Sequence, residues 1–382
     1  MRLRLALFLT FCLSSSLKAQ EHSTNHPNST LRFTVIKDNA ATSVKNQNRS
    51  STCWSFSTLS FFESELIRMK KPQVELAEMH VVRMVYLMKA LKYVRMHGTI
   101  GFAPGGAFHD PLTVLATYGL MPRQAYPGNE YGTTDVQHGE LDELLLSYVQ
   151  AVVRNKNGQL STAWQAGLEG ILDAYLGKVP AQFEFQGKTY TPRSFADFLG
   201  LKPQDYIDLT SFSHHPFYTQ FAIEVPDNWS WDKAYNLPLN EWMETLDYAL
   251  MNGFTAAWGA DVSGKGFSHK FGLALEPVQY PAADKAEVYF MEPQEEKQVT
   301  QALRQADFDN YLTTDDHGMH ITGMVKDQHG KKYYIVKNSW GHTSNGCGGY
   351  FYASEAYVQM RTLNFMIHRD GIPAHIRKKL GI

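Results

Sequence analysis

The sequence predicts an α+β fold whose helices gather in one half and whose strands gather in the other. Three observations carry this reading. Apolar residues make up 43% of the 382 residues and charged residues 19%, enough to bury a large core. From Thr52 onward, apolar residues recur at three- and four-residue spacings, the period of a helix face. In the last third, short runs rich in β-branched and aromatic residues are divided by turn signals, the pattern of paired strands.

Taken in order, Trp54, Phe56, Leu59, Phe61, Phe62, Leu66, Ile67 and Met69 mark a first helix with a broad apolar face. Glu75 to Met96 reads as a second, longer helix. Gly105-Gly106 opens a turn before a helical stretch from about Asp110 to Tyr118. The middle, from Leu141 to Trp242, is mixed. Leu141–Asn155 and Ala163–Gly177 read as helices, and Ala181–Lys188 alternates like a strand. Thr191–Gly200 reads as a helix with Thr191 as cap and Pro192 at the first helical position. A helix over Asn240–Asn252 ends at Gly253, and Phe254–Asp261 follows as a buried strand. Ile321–Lys326 and Tyr333–Asn338 are strands joined by the turn Asp327-Gln328-His329-Gly330, and Gly349–Ala353 adds a short strand. Helices first and strands later give the two halves.

The N-terminus reads as a secretory signal over residues 1–19. Arg2 and Arg4 precede an apolar run from Leu5 to Leu13, and a Ser-rich stretch leads to Ala19-Gln20. Residues 20–34 are polar and read as a flexible segment, with one folded unit over 35–382. The expectation is an exported protein, periplasmic or extracellular. No later segment holds 18 consecutive apolar residues, so no membrane span is expected. A net charge of −2 carries no basic surplus for nucleic acid. Removing the signal leaves Cys53 and Cys347, too few for a disulfide scaffold, so one of them is expected to do chemistry and Cys347 to be a free thiol.

Cys53 begins the first predicted helix, with Thr52 as candidate cap. Backbone N–H groups and the helix dipole favour a thiolate there, and the thiolate is the nucleophile. Taken alone, a cysteine at a helix start reads as a small buried hydrophobe. Gln47, six residues earlier, offers an amide that can join the Cys53 N–H in binding an oxyanion. His320 stands before a strand and offers an imidazole base. Asn338 comes eighteen residues later (338 − 320). A tight turn returns it beside His320, where its amide oxygen can accept the imidazole N–H. Trp340 can shield that bond from water. Individually, Gln47, His320 and Asn338 are more often surface, structural or turn residues.

Together these residues resemble the papain-like cysteine peptidases, whose Cys-His-Asn set performs the roles of a Ser-His-Asp triad. Gln47 to Phe56 matches the family's Gln, five residues, Cys-Trp-Ser/Ala-Phe. Asn338-Ser339-Trp340-Gly341 matches its Asn-Ser-Trp-Gly. Gly105-Gly106 is similar to the segment that contacts the substrate backbone, so both glycines are candidate substrate-binding residues alongside Trp340. The resemblance implies a papain-like two-part fold, a thioester acyl-enzyme, peptide substrates and no cofactor.

Two departures refine it. Ser50 stands where the family usually has a further cysteine. The separation of Cys53 from His320 is 267 residues (320 − 53), against about 130–150 in ordinary members. A large, mostly helical insertion at about 130–250 is therefore expected. Both departures resemble the bleomycin hydrolase and aminopeptidase C branch. That branch implies an aminopeptidase, a hexameric assembly, and a C-terminal arm whose carboxylate binds the substrate ammonium. Here the tail after Asn338 is short and carries Arg377, Lys378 and Lys379, which would repel an ammonium.

Other classes have less support. No His-Glu-x-x-His motif occurs, so no metal site is expected. His317 and His320, near Asp315 and Asp316, are half a metal site at most. A catalytically silent binding module would not be expected to keep all three residues. An endopeptidase, a peptidase of broader specificity, or an acyltransferase on the same chemistry are the remaining alternatives.

Overall fold

The structure is a computed structural model that describes residues 23–280 and 286–382. The signal segment expected over residues 1–19 lies outside the described residues. The segment expected to be flexible differs where it is described. Ser23 bridges Phe33, Leu31 and Phe33 are fully buried, and the Asn25 amide donates to the Phe271 and Phe290 carbonyls, both at 2.8 Å. Two apolar side chains and one amide that donates twice suffice, among polar neighbours, to dock it.

Strand β1 (Thr34–Asp38) leads through a loop to the central helix α1 (Cys53–Arg68). Every residue of α1 from Trp54 to Leu66 is buried, so the helix has no solvent face. Around it pack α2 (Glu78–Arg95) and α3 (His109–Thr117), then α4 (Gly139–Val153) and α5 (Trp164–Leu176). Next come the hairpin β2 (Phe183–Phe185) and β3 (Lys188–Tyr190), and α6 (Pro192–Leu199). The α6 cap is the one the sequence predicts: Thr191 Oγ1 accepts from the Ser194 N–H at 3.2 Å, and Gly200 closes the helix at φ 75°.

The rest is strand-rich. It runs β4 (Tyr206–Thr210), β5 (Gln220–Ala222), β6 (Lys233–Asn236), α7 (Leu239–Met251), β7 (Ala256–Ala260), β8 (Phe267–Ser268) and β9 (Leu273–Ala274). It continues with α8 (Ala286–Tyr289), α9 (Gln301–Asp309), β10 (His317–Lys326), β11 (Lys332–Lys337), β12 (Tyr350–Ser354), α10 (Glu355–Arg361), β13 (Thr362–His368) and α11 (Ala374–Leu380). The main sheet has the order β5-β6-β4-β13-β7-β10-β11-β12-β9-β8, with β1 also on β10.

The region expected as a mostly helical insertion therefore does more than add helices. Its strands β4, β6 and β5 extend the main sheet, with β4 antiparallel to β13 over five residue pairs from Tyr206↔His368 to Thr210↔Asn364. The β-branched and aromatic side chains of Tyr206, Ile207 and Thr210 suit that pairing.

The helical and strand halves meet across α1, which lies on β10 and β7. Gly318 permits this closeness: a Cβ there would sit 2.9 Å from Ser57 Oγ and 3.3 Å from the Trp54 Cα. The N-terminus of α1 is thereby seated on the first residues of β10.

Candidate active site

Cys53 is the first residue of α1, as the sequence predicts. The loop before it carries two non-glycine residues in the left-handed region, Asn48 at φ 51° and Ser51 at φ 54°. Long-range bonds hold this loop: Gln47 N–H to the Ser339 carbonyl at 2.8 Å, and Arg49 N–H to the Val136 carbonyl at 3.2 Å. Strained backbone fixed from both sides is a feature of functional loops. Ser50 is fully buried, and its hydroxyl shares a 2.6 Å hydrogen bond with that of Thr52. The Thr52 side chain is therefore engaged with Ser50 and does not cap α1, contrary to expectation.

The histidine beside Asn338 is His317. Its Nε2 lies 2.8 Å from Asn338 Oδ1, and its ring stacks on Trp340 with centroids 4.7 Å apart. His317 also lines the same pocket as Cys53, Trp54 and Gly106. His320, the base expected from sequence, lies elsewhere. It is fully buried, its Nδ1 is 2.9 Å from Ser60 Oγ on α1, and its Nε2 has no partner among the described residues. The physical reason is strand alternation: residues three apart on β10 point to opposite faces. The Gly318–His320 face meets α1, whereas the His317 face meets Asn338. The same alternation separates the two histidines as metal ligands.

Asn338 is held on both sides. Its Oδ1 also accepts the Ser339 N–H at 2.8 Å, and its Nδ2 donates to His269 Nδ1 at 3.2 Å. His269 Nε2 is 2.7 Å from Ser344 Oγ, and the Ser344 hydroxyl donates to the Gly341 carbonyl at 2.6 Å. The chain has one consistent direction. With Ser344 donating to a carbonyl, its oxygen accepts from His269 Nε2–H, which leaves His269 Nδ1 to accept from Asn338. The Asn338 oxygen then faces His317 and fixes its proton on Nε2. Trp340 packs against both rings, at 4.7 Å from His317 and 4.9 Å from His269. It is a wall for the two histidines and is not among the residues that line the Cys53 pocket.

Gln47 is buried, and its Oε1 accepts from the Ser339 hydroxyl at 2.6 Å. That bond settles which end of the amide carries the oxygen and leaves the NH₂ group to point away from Ser339. Gly106 lines the pocket, and a Cβ there would meet the Trp54 ring at 2.9 Å. Gly105 lies against the carboxylate of Asp227, within 1.9 Å of where a Cβ would stand.

The electrostatics oppose an isolated charge on either partner. Burial pushes the Cys53 thiol up to about 12, with the charges of Asp315 and Asp227 adding to it. The N–H groups of Gly318 and Trp54 act the other way and are outweighed. This corrects the expectation that the helix start alone would lower the thiol. Burial brings His317 down to about 4, against the Asn338 bond. Proton transfer between the two creates no net charge, so mutual attraction offsets much of the dehydration that opposes each ion alone.

The Peptidase C1-like family matches residues 92–381. The chain belongs to the Peptidase C1-like family. Residues 31–137 also match the papain family cysteine proteases, the segment that carries Gln47 and Cys53. Among curated relatives of this peptidase chain, aminopeptidase C of Streptococcus thermophilus is 24% identical over 381 residues, covering 87% of this chain and 81% of that protein. Aminopeptidase W of Lactobacillus delbrueckii subsp. lactis is 23% identical, covering 87% and 82%. The crystal structure of PepW from Lactobacillus rhamnosis shares the fold at a TM-score of 0.71 and 19% identity, covering 91% of this chain and 84% of that one. The papain-like α+β fold expected from the motifs is thus the fold observed.

Sequence reasoning missed His317 as the partner of Asn338, along with His269 and Ser344. One signal was available for His317. Gly318 follows it, and a residue without a side chain at that point lets a helix start approach the strand. His269 and Ser344 lie in turns and carry no local signal.

Proposed function

We propose that this chain is a cysteine aminopeptidase of the bleomycin hydrolase type, with Cys53 as nucleophile, His317 as base, Asn338 orienting that base and Gln47 as oxyanion donor. The observation that carries this reading is the 2.8 Å bond from His317 Nε2 to Asn338 Oδ1, with His317 and Cys53 lining one pocket. With Nε2 committed to Asn338, the Nδ1 lone pair is the one free to take the thiol proton. The Cys53 sulfur then attacks the scissile carbonyl carbon, and the negative charge moves to the carbonyl oxygen. The Cys53 N–H and the Gln47 amide stabilise that oxygen. As the C–N bond breaks, His317 returns its proton to the leaving amine and a thioester remains. Water attacks the thioester, His317 takes the water proton, and the acid leaves as the thiol is restored.

The reading extends to export and self-association. Export is supported by the basic start and apolar run at Arg2 to Leu13, and assembly by the resemblance to the hexameric branch. The enzymatic reading is tested with alanyl-aminomethylcoumarin and its N-acetylated form. An aminopeptidase cleaves the free-amine substrate with the higher kcat/KM. Preference for the acetylated substrate would make the chain an endopeptidase on the same fold.

A further inference from the structure

The pocket at Cys53 is acidic. Asp208, Asp227, Asp232, Asp315 and Asp316 all line it, and no Lys or Arg does. Three of these carboxylates are already engaged. Asp208 accepts both oxygens' bonds from Asn364 Nδ2 at 2.8 and 2.9 Å, Asp316 accepts the Val262 N–H at 3.0 Å, and Asp232 accepts the Lys233 N–H at 2.8 Å. Asp227 and Asp315 have no hydrogen bond and no ion pair among the described residues. The Lys89 charge acts on both, but its ammonium donates to the Ala103 carbonyl at 2.7 Å and to the Gly105 carbonyl.

We infer that the carboxylates of Asp227 and Asp315 receive the α-ammonium group of the substrate's first residue. This rests on the aminopeptidase reading and supplies its specificity. In an N-terminal residue the α-nitrogen is about 2.5 Å from the scissile carbonyl carbon. Whatever anchors the ammonium must therefore share a pocket with the nucleophile. Asp227 and Asp315 do so, and both are close enough for their charges to act on the Cys53 thiol. Burial raises both carboxyls, and Asp227 adds to the rise of Asp315 to about 7. An ammonium offers three donors and one positive charge to the pair.

The anchor is built by an ordered loop. Asp227 belongs to the segment between β5 and β6, which crosses onto α2 and α3 at several points. Trp229 Nε1 donates to Asp110 Oδ2 at 2.9 Å, His109 Nε2 is 2.7 Å from Ser230 Oγ, and Lys92 Nζ donates to the Ser230 carbonyl at 2.9 Å. The loop presses the Asp227 carboxylate onto Gly105, where any side chain would collide with it. Residues 374–382 form α11 and its end, Leu380 and Ile382 pack into the core beside α7, and none of them lines the pocket.

The bound ammonium also offsets part of the carboxylates' repulsion of the thiol, so loss of either carboxylate has two opposite signatures. Asp227→Asn and Asp315→Asn should each lower kcat/KM for alanyl-aminomethylcoumarin about 10- to 100-fold. Activity on the N-acetylated substrate should hold, and alkylation of Cys53 by neutral iodoacetamide at pH 7 should stay level or quicken. Equal losses on both substrates, slower alkylation in the variants, or an undiminished free-amine preference would overturn the anchor. A wild-type enzyme without free-amine preference would overturn the aminopeptidase reading along with it. A wild-type preference that both variants keep would overturn the anchor alone.

Discussion

His317 Nε2 and Asn338 Oδ1 face each other at 2.8 Å, with the indole of Trp340 stacked against the imidazole. The bond fixes one tautomer, with the proton on Nε2 and a lone pair on Nδ1. It stands at the end of a directed series running from the Gly341 carbonyl through Ser344, His269 and Asn338. Each member is set by the one before it, so the His317 imidazole, the proposed base, is oriented by Asn338, His269 and Ser344.

Breaking that series should weaken the enzyme in graded steps. Asn338→Ala removes the acceptor and should reduce kcat by about 10- to 100-fold. His269→Phe keeps the aromatic packing on Trp340 but frees the Asn338 amide to rotate, and its loss should be smaller. Steady-state kinetics on a free-amine substrate give both values. A His269→Phe enzyme more impaired than Asn338→Ala would show that His269 acts independently of Asn338.

Ser339 orients Gln47, the proposed oxyanion donor, in a similar way. Gln47→Ala should lower kcat about 10²- to 10³-fold with KM little changed, because its donor acts on the charge formed in the transition state. Ser339→Ala removes only the 2.6 Å bond that orients the amide and should have a milder effect. A change confined to KM in Gln47→Ala would place the residue in substrate binding.

His320 carries a pH signature of its own. Burial, and secondarily the Lys337 charge, hold its pKa well below the usual histidine value. Between that value and about 6.5 the unfolded chain binds a proton that the folded chain does not. Its contribution is therefore fully present above about pH 6.5 and is lost as pH falls below it. His320→Phe removes this single proton. Urea titrations at pH 7 and pH 5 should show the wild type losing ground to the variant by up to about 1.4 kcal/mol per pH unit. Parallel losses in both proteins would mean that His320 is not held neutral by the fold.

Much of this site was legible in the sequence, and the limits have physical causes. Cys53 at a helix start, Gln47 before it and Asn338 after a strand are local patterns, and the structure brings each to the site. The base was misplaced because β10 starts at His317, four residues before the apolar run at Ile321 that marks it in sequence. Two histidines three apart on a strand cannot share a face, so a boundary error exchanged the pocket-lining histidine for the one packed on α1. The contribution of 206–236 to the sheet was equally hidden, since β4 pairs with β13, more than 150 residues away in sequence. Leu31 and Phe33 docked a segment whose composition is polar, because two buried side chains outweigh an average.

The most direct test places His317→Ala and His320→Phe side by side, measuring hydrolysis of a free-amine substrate and alkylation of Cys53 by iodoacetamide at pH 7. His317→Ala should lose about 10²- to 10⁴-fold in kcat/KM. Its Cys53 should then react no faster than Cys347, whose thiol burial pushes up to about 11. His320→Phe should keep its turnover within a few-fold of the wild type and its rapid Cys53 alkylation. Full activity in His317→Ala, or loss of both activity and Cys53 reactivity in a folded His320→Phe enzyme, would contradict the assignment of His317 as the base.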